Sequence, residues 1–590
     1  LCAYGAIGLF MSTITHYQVV AVIGTLVVLA TLNYIGKIGQ DTSFVRDITY
    51  WLSIAGRSES LLSGMLSSKD IIYFILVISL FIALSVIKLQ GERLKVSKIT
   101  GFTKYSLTIL IVLSLGYVTS RPMMSKYYDA SFHKENTLTR ESQEVVAQLD
   151  GGLTITTYVN FLCPNYHKGS PSSINSDKEK FEKYIRFKPE IKMEYVYYYD
   201  STYNSFLEQY YTDLNTQQRF DTLCKLYDNN PKMYKTPLEI KKIIDLSGEG
   251  NRFVRVIERE NGNKTFLRIF EDQQCDPFES EITSALKTLI VKSPKVGFVN
   301  GHGERNTDGI GDRSYSTFAT SKPFRHSLVN QGFRVENIDL NTPIAEDMDI
   351  IVISDMRTPY NEKEMSNFEQ FLQRGGNMII LGEPRRQENM NPLLEKFGLK
   401  FTNGIIVQPV EKRSADLLTG SFTNFAMGIK GMANMIARRY CVTMPSTCGI
   451  ETIGFKGFEL EPLIVTADKG VWNEMETTNF IDDTPTLDKS KGEIEKSYDL
   501  MVYAKRYINN KKQRVFIIGD ADCISSGEIS ITRKEIPASN YNLIISMFQE
   551  LSYDNFPITT TKTHPRDNSV SIDKETMSWI AIMVKWVFPS

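Results

Sequence analysis

Two short polar loops of this 590-residue chain carry the side chains best suited to chemistry. One, GHGE at 301–304, follows an apolar run at 295–300, and the other, GDAD at 519–522, ends an apolar run at 514–519. Open α/β sheets bind ligands outside the carboxyl ends of their strands, so both loops would lie at one edge of a sheet. The sequence therefore predicts a ligand-binding set at that edge: Gly301, His302, Gly303, Glu304, Asp520 and Asp522.

Each loop also has a plainer interpretation. His302 and Glu304 could act as base and acid or bind a metal, or they could simply hydrogen-bond the neighbouring backbone. The aspartates could hold a hard cation, but capping the next helix is the better interpretation. A dinucleotide fingerprint is disfavoured because Asn306 stands where its third glycine belongs.

Known catalytic motifs are missing from the sequence. There is no G-x-S-x-G, H-E-x-x-H or G-x-x-x-x-G-K-S/T, and Cys523 lacks an assigned histidine partner. We therefore predict no catalytic residue, no metal and no cofactor. Without a phosphate-cradling loop, the chain would depend on a separate ATPase.

The elements that position these loops follow from the hydrophobic pattern. Short apolar runs alternate with amphipathic segments from Lys295 onward, which is typical of parallel strands buried on both faces. This pattern predicts a doubly wound α/β sheet within residues 294–560, with strands at 295–300, 333–339, 349–354, 377–382 and 514–519, and helices at 323–331, 361–374, 391–397 and 540–551. The insertion from 400 to 510 lacks clear periodicity, and residues 476–496 are expected to form an exposed loop.

A smaller α/β domain is predicted for residues 121–293. Its β-α-β-like unit has strands at 153–160 and 191–199, with helices at 137–149, 177–187 and 215–228. A hairpin turns at Asn261-Gly262-Asn263, whose residues tolerate positive φ, and a helix at 279–291 ends the domain.

Residues 1–120 predict membrane helices. Uncharged runs give spans at about 17–36, 71–89 and 104–120, near the ~20 residues that cross a ~30 Å hydrocarbon layer. Residues 1–13 resemble the tail of an earlier span, and residues 575–590 the start of a later one. Buried soluble helices are the alternative, which three such runs together make a poor one.

Charge sets the predicted orientation. The loop between the second and third spans contains one acidic residue, Glu92, and five basic ones: Lys88, Arg93, Lys95, Lys98 and Lys104. Basic loops stay in the cytoplasm, so the chain from about 121 to 575 would be extracytoplasmic. Residues 44–55 are predicted to form an interfacial helix on the outer membrane face.

Composition excludes other classes of protein. Lys and Arg total 67 against 68 Asp and Glu, which argues against nucleic-acid binding and against disorder. Seven scattered cysteines without a C-x-x-C disfavour a zinc site, although Cys441 and Cys448 could form a small disulfide loop on an oxidising side.

Several segments resemble known families. AIGLFMSTIT and WLSIAGRSESLLSGMLSSKDIIYF look like the last part of an ABC type-2 permease. TITTYVN, ESEITSALKTLI, PKVGFVNGHGE, FLQRGGNMIILGEP and RVFIIGDADCIS resemble the GldG family, the gliding-motility-associated ABC transporter auxiliary component of Bacteroidetes. Joining both parts in one chain departs from the separate subunits of the gliding system.

The resemblance implies a non-catalytic membrane subunit of a bacterial inner-membrane ABC transporter, with its large soluble region in the periplasm. Its partners would be a cytoplasmic ABC ATPase, the lipid bilayer and an envelope protein or polymer, in a homodimer or a heteromeric complex without nucleic acid. The soluble sheet would be similar to class I glutamine amidotransferases, with Gly382-Glu383-Pro384 where the cysteine nucleophile stands. A membrane-anchored metal-dependent hydrolase and a structural envelope protein are the alternatives.

Overall fold

The computed structural model describes residues 1–94, 97–121, 124–131, 133–560, 573–583 and 585. Lys95, in the predicted cytoplasmic loop, and residues 586–590, in the predicted C-terminal span, lie outside the described residues. The N-terminal elements are α1 (Cys2–Ile14), α2 (Gln18–Tyr34), α3 (Ser43–Leu52), α4 (Ala55–Leu62), β1 (Met65–Ser67), α5 (Ser68–Leu94), α6 (Lys98–Thr119) and β2 (Tyr127–Asp129).

Three apolar helices of this region are long enough to cross a membrane. They cover Gln18–Lys37, Ser68–Leu94 and Ile99–Thr119, so the second and third begin earlier than the sequence predicted. Outside these helices, β1 pairs antiparallel with β2, matching Met65 to Asp129 and Ser67 to Tyr127. This pairing places the start of α5 and the end of α6 at the same end of the helix group.

Polar contacts join α3 and the start of α5 to the soluble region. Tyr50 of α3 donates a 2.8 Å hydrogen bond to Glu179, and Lys69 of α5 forms a 2.6 Å ion pair with Glu182. Trp51 of α3 also packs closely against Gly116 of α6, where a Cβ atom would lie 1.9 Å from the indole ring. The helix α3, which the sequence predicts to be interfacial, therefore contacts both the apolar helix α6 and the soluble region.

The next part of the chain is built on a four-stranded sheet. Its elements are α7 (Arg140–Ala147), β3 (Leu153–Asn160), α8 (Ile174–Lys180), α9 (Glu182–Phe187), β4 (Ile191–Tyr198), α10 (Ser205–Tyr210), α11 (Thr216–Leu226), α12 (Pro237–Ile243), β5 (Val254–Arg259), β6 (Lys264–Arg268) and α13 (Glu279–Thr288). The strand order is β4-β3-β5-β6, with β3 and β4 parallel and β5 and β6 forming the predicted hairpin. The single helix predicted at 177–187 is two helices, α8 and α9.

The largest sheet begins at Lys295. The elements from this point on are β7 (Lys295–Val299), α14 (Ser316–Ala319), β8 (Arg334–Ile338), β9 (Ile350–Ser354), α15 (Glu362–Gln373), β10 (Asn377–Leu381), α16 (Gln387–Leu394), β11 (Leu399–Phe401), β12 (Ile405–Val407), β13 (Leu417–Phe422), α17 (Lys430–Ala437), β14 (Val442–Pro445), β15 (Ile450–Thr452), β16 (Glu459–Val465), β17 (Trp472–Glu474), β18 (Asp499–Ile508), β19 (Lys511–Ile518), α18 (Ser526–Ser530), α19 (Asn540–Leu551) and α20 (Lys574–Ile582). Of these, β12 and β17 pair with each other in a separate two-stranded sheet. The main strand order is β14-β13-β16-β18-β19-β10-β9-β7-β8.

Both faces of this sheet are buried. Along β9, Val352 packs into one apolar cluster with α19, whereas Ile351 and Ile353 pack into a second cluster with α15 and α16. Two-sided burial explains why the strands read as continuous apolar runs. The helix α15 begins where predicted, because Asn361 accepts a hydrogen bond from the backbone N–H of Glu364 in a capping box.

Three predictions for this region differ from the structure. The helix expected at 323–331 is only a 3-10 turn, Leu328–Asn330, and the helix expected at 391–397 starts at Gln387. The sheet is parallel only from β8 to β19, because β18, β16, β13 and β14 extend it antiparallel. The insertion, which lacked a clear pattern, supplies those four strands, while residues 476–496, expected to form a loop, contain no strand or α-helix.

Candidate functional site

The two predicted loops lie at the same edge of the large sheet. Strands β7, β9, β10 and β19 are neighbours and run parallel, so their carboxyl ends meet. The segment from Gly301 to Arg305 follows β7, Asp355 follows β9, Glu383 follows β10, and Asp520 to Asp522 follow β19. The structure therefore brings residues 301–305 and 520–522 together as expected.

Arg305, which sequence reasoning did not single out, connects these strand ends. Its side chain is only 3% exposed and forms short ion pairs with Glu383 and Asp522. Its Nε lies 3.6 Å from Oδ2 of the buried Asp355. One guanidinium therefore links the ends of β9, β10 and β19 to the loop after β7.

The carboxyl groups around Arg305 differ in their environment. Asp520 is fully buried; its Oδ1 accepts backbone N–H bonds from Asp522 and Cys523, and its Oδ2 has no hydrogen-bond partner among the described residues. Burial raises the pKa of Asp520, with neighbouring Glu383 adding to the effect. Burial likewise raises the pKa of Glu383 to about 8, against the opposing effect of Arg305.

These carboxyl groups bear on the cation alternative. Ligand oxygens of Glu383, Asp520 and Asp522 lie within 4.8 Å of one another, which is close enough to surround an ion. The Arg305 guanidinium already lies against two of them, so a metal ion would have to displace it. Asp520 accepts backbone N–H bonds at the start of the following 3-10 turn, whereas the next α-helix, α18, is capped by Ser525 and not by either aspartate.

His302 and Glu304 are bound by side chains from α15 and from the segment before it. The His302 ring lies 2.9 Å from Glu364 through Nε2 and 2.9 Å from Thr358 through Nδ1. Glu304 is buried, accepts the backbone N–H of His302, and accepts a hydrogen bond from Tyr360 at 3.0 Å. These bonds fix the shape of the turn, and no hydrogen bond among the described residues joins either side chain to Asp520 or Asp522.

The two glycines of the loop are exposed at the edge. Gly301 has φ of +130° and Gly303 has φ of +80°, a region that side chains other than glycine rarely adopt. A Cβ at Gly303 would come within 3.0 Å of Cδ of Arg357. Glycine here therefore lets the Arg357 side chain lie across the turn.

The nearby cysteines are poorly placed for nucleophilic chemistry. Cys523 is fully buried, its Sγ donates to the Asp520 carbonyl at 3.1 Å, and burial raises its pKa. A protonated, inaccessible thiol is inert. Cys448 is also buried and close to the Gln387 amide, and both Cys441 and Cys448 are free thiols in this structure.

Sequence reasoning missed the arginines of this edge. Arg305 lies one residue beyond the GHGE loop, and Asp355 and Glu383 each come directly after an apolar strand or its terminal glycine. Attention to every charged residue that follows a predicted parallel strand would have found them. Three more arginines surround Asp355: Arg313, Arg357 and Arg386.

Comparison with known proteins gives one family match. Residues 293–545 match the family described as an ABC-type uncharacterized transport system. This match supports an auxiliary component of an ABC transport system, and it covers the large sheet and the edge described above. No curated protein matches the chain.

Solved structures resemble parts of the chain only distantly. The mmIFT52 N-terminal domain is 13% identical, with a TM-score of 0.29, over 46% of this chain and 100% of that one. A putative ThuA-like protein from Parabacteroides merdae is 10% identical, with a TM-score of 0.26, over 47% and 94%. The exo-beta-1,4-mannosidase Op5Man5 from an Opitutaceae bacterium is 10% identical, with a TM-score of 0.20, over 46% and 37%.

Proposed function

We propose that this chain is a membrane subunit of a bacterial ABC transport system, combining permease-like helices with a GldG-like auxiliary region. The observation that carries the proposal is the family match of residues 293–545 in a chain that begins with three helices of membrane-span length. ATP hydrolysis belongs to a separate cytoplasmic subunit. The chain itself is non-catalytic and needs no cofactor.

The soluble region is proposed to lie outside the cytoplasm. Pairing of β1 with β2 supports this topology, because it requires the loop before α5 and the segment after α6 to be on one side of the membrane. The end of α5 and the start of α6 then lie on the opposite side. They carry Lys88, Arg93 and Lys104, and basic residues near helix ends remain cytoplasmic.

The soluble region is proposed to contain two domains, 121–293 and 294–560. Separate sheets support this division, because β3 to β6 form one sheet and β7 starts another. The second domain is proposed to be a variant of the class I glutamine-amidotransferase-like fold. Its parallel strand order of β8-β7-β9-β10-β19, covered by helices on both faces, is consistent with that proposal.

The carboxyl edge of the large sheet is the proposed contact surface for cargo, an envelope polymer or a partner protein. It includes the exposed Gly301 and Gly303, the half-buried His302 and Asp522, and the buried Glu304 and Asp520. Hydrogen bonds within each loop, together with those of His302 to Thr358 and Glu364, give the edge a fixed shape. The finer form of the proposal, gliding-associated transport in a Bacteroidetes inner membrane, follows from the GldG resemblance alone.

Purification of the intact protein from its native membranes tests the proposal. Affinity capture in mild detergent, followed by mass spectrometry, should recover an ATPase with a G-x-x-x-x-G-K-S/T loop in fixed proportion to this chain. A variant with Lys88, Arg93 and Lys104 changed to Gln tests whether these cations, on the proposed cytoplasmic side, affect recovery of the ATPase. Recovery of the chain without any such ATPase would favour a structural envelope protein instead.

Metal content separates the hydrolase alternative from the proposal. The purified chain should hold no zinc, magnesium or calcium in stoichiometric amounts, because Arg305 already neutralises Glu383 and Asp522. Stoichiometric metal that is lost in an Asp520→Asn variant would contradict the non-catalytic assignment.

A further inference from the structure

Four arginines surround a single buried carboxylate at the carboxyl edge of the large sheet. Asp355 is 1% exposed and lies 2.7 Å from Arg313, 3.3 Å from Arg386, 3.6 Å from Arg305 and 3.7 Å from Arg357. A carboxylate offers about four lone-pair sites, whereas each guanidinium has five N–H donors. The arginines therefore present far more donors than Asp355 can accept.

The excess positive charge faces solvent. Arg305 is buried and paired with Asp522, but Arg313 and Arg357 are 55% and 51% exposed, and Arg386 is partly exposed. Among the described residues, Asp355 is the only acidic partner within ion-pair distance of these three. Three cations against one carboxylate leave a local charge of about +2, since Asp522 balances the buried Arg305 and burial raises the pKa of Glu383 to about 8, which keeps that carboxyl largely protonated at neutral pH.

Arg357 has the most unused hydrogen-bonding capacity of the three. Its guanidinium is too far from Asp355 for a hydrogen bond, and it donates to no acceptor in the described part of the chain. Its backbone is nevertheless fixed, because its N–H donates to the His302 carbonyl at 2.9 Å and its carbonyl accepts from Asn389 at 2.8 Å. The aliphatic part of the Arg357 side chain also lies across Gly303, so the guanidinium is held in place although its N–H donors have no acceptor among the described residues.

The backbone that carries these groups is itself unusual. Asp355 has φ of +49° and Arg385, beside Arg386, has φ of +67°. Residues other than glycine rarely adopt such angles, and they cluster at ligand-binding sites, where the surrounding structure holds them in place. Asp355 directly follows β9 and Arg385 lies four residues after the end of the neighbouring β10, at the edge where open α/β sheets bind ligands.

We propose that Arg313, Arg357 and Arg386, arranged around Asp355, bind a phosphate group that carries two negative charges. Two such charges match the local excess, and the planar guanidinium forks can each donate to a different oxygen of a tetrahedral phosphate. The ligand would be a phosphate ester or a diphosphate. The site deepens the proposed function, because it assigns a ligand class to the proposed contact edge, but it does not depend on an ATPase partner.

Direct binding of inorganic pyrophosphate tests the site. The full chain, in phosphatidylcholine nanodiscs at low salt, is titrated by calorimetry. We expect saturable binding, with affinity reduced about tenfold or more in Arg357→Gln and in Arg313→Gln, because each removes a charge-assisted contact. Arg357→Lys keeps the positive charge but loses the planar guanidinium donors, so its affinity should lie between those of the wild type and Arg357→Gln.

Arg140→Gln is the matched control, since Arg140 is a surface arginine that is 89% exposed and pairs only with Glu144 among the described residues. Its affinity should stay within about twofold of the wild-type value. Equal melting temperatures for all four variants would show that the fold is intact. No saturable binding up to millimolar pyrophosphate, or equal affinity in wild type and Arg357→Gln, would overturn the proposal.

A second set of nanodiscs distinguishes two sources of the phosphate. If the natural group belongs to a lipid headgroup, discs made with phosphatidic acid, whose phosphomonoester can carry two negative charges, should compete and weaken pyrophosphate binding, and Arg357→Gln should abolish this competition. If the group belongs to a soluble molecule, the lipid should make no difference. Failure to recover an ATPase would leave this result unchanged, so the two proposals fail separately.

Discussion

Removing Arg305 should destabilise the large sheet more than any other single charge change at its edge. In Arg305→Met the side chain keeps much of its volume but loses its charge, leaving Glu383 and Asp522 without the guanidinium that contacts both. Truncating one partner of a buried ion pair costs about 3–5 kcal/mol, because the remaining charge stays desolvated. For a cooperative unit of 150–250 residues, each kcal/mol lowers the melting temperature by about 2–4 °C.

The expected loss is therefore about 6–20 °C in thermal unfolding of the full chain in detergent, followed by intrinsic fluorescence. Neutralising the orphaned acids should restore most of it, so the triple variant with Glu383→Gln and Asp522→Asn should melt above Arg305→Met alone.

Arg140→Met provides the control on the surface, where an isolated exposed pair contributes little, and its melting temperature should change by less than about 1 °C. Two results would refute the reasoning. A loss below about 2 °C in Arg305→Met would show that the arginine does not hold the strand ends together. A triple variant no more stable than the single one would show that uncompensated acids are not the cause.

Three further predictions follow from the structure. The folded-state pKa of Glu383 is about 8 against a usual 4.5, so its contribution to stability is full below about pH 4.5 and is lost as the pH rises towards 8. Glu383→Gln should therefore reduce the pH dependence of the free energy of unfolding in this range by up to about 1.4 kcal/mol per pH unit, measured in unfolding titrations. Tyr50→Phe combined with Lys69→Met should loosen the contacts of α3 with α8 and of α5 with α9, measured as faster amide exchange in α8 and α9 without change in the large sheet. Cys441 and Cys448 should remain unpaired, so the intact mass should not change on reduction; a difference of two mass units would contradict the structure.

The parallel core could be predicted from the sequence because its strands are buried on both faces. The five predicted strands correspond to β7, β8, β9, β10 and β19, with their ends shifted by a few residues. The helix α15, which lies between two of them, is bounded by Asn361 and Gly375. The expected helix at 323–331 failed because Arg325 instead pairs with Asp272 and Glu281 and fixes an irregular segment. Tertiary ion pairs of this kind leave no periodic signal.

The sequence predicted where the two loops lie, but not which charged side chains surround them. The loops at 301–304 and 519–522 could be placed because their position depends only on the parallel order of the strands that precede them. It could not show that Arg305 would be buried among carboxylates, or that three exposed arginines would converge on Asp355 from loops far apart in sequence. The antiparallel extension from β13 to β18 was missed because its strands are short or irregular and come from an insertion without clear alternation.

Labelling from the two sides of the membrane tests the central claim most directly. Ile310 is fully exposed beside the proposed contact edge, and Glu92 lies at the end of α5 that faces the basic loop. With a membrane-impermeant maleimide on intact cells with a permeable outer membrane, Ile310→Cys should react above the parent chain, and Glu92→Cys should react only after the inner membrane is opened. Reaction of Glu92→Cys in intact cells, with Ile310→Cys protected, would place the soluble region in the cytoplasm and contradict the account.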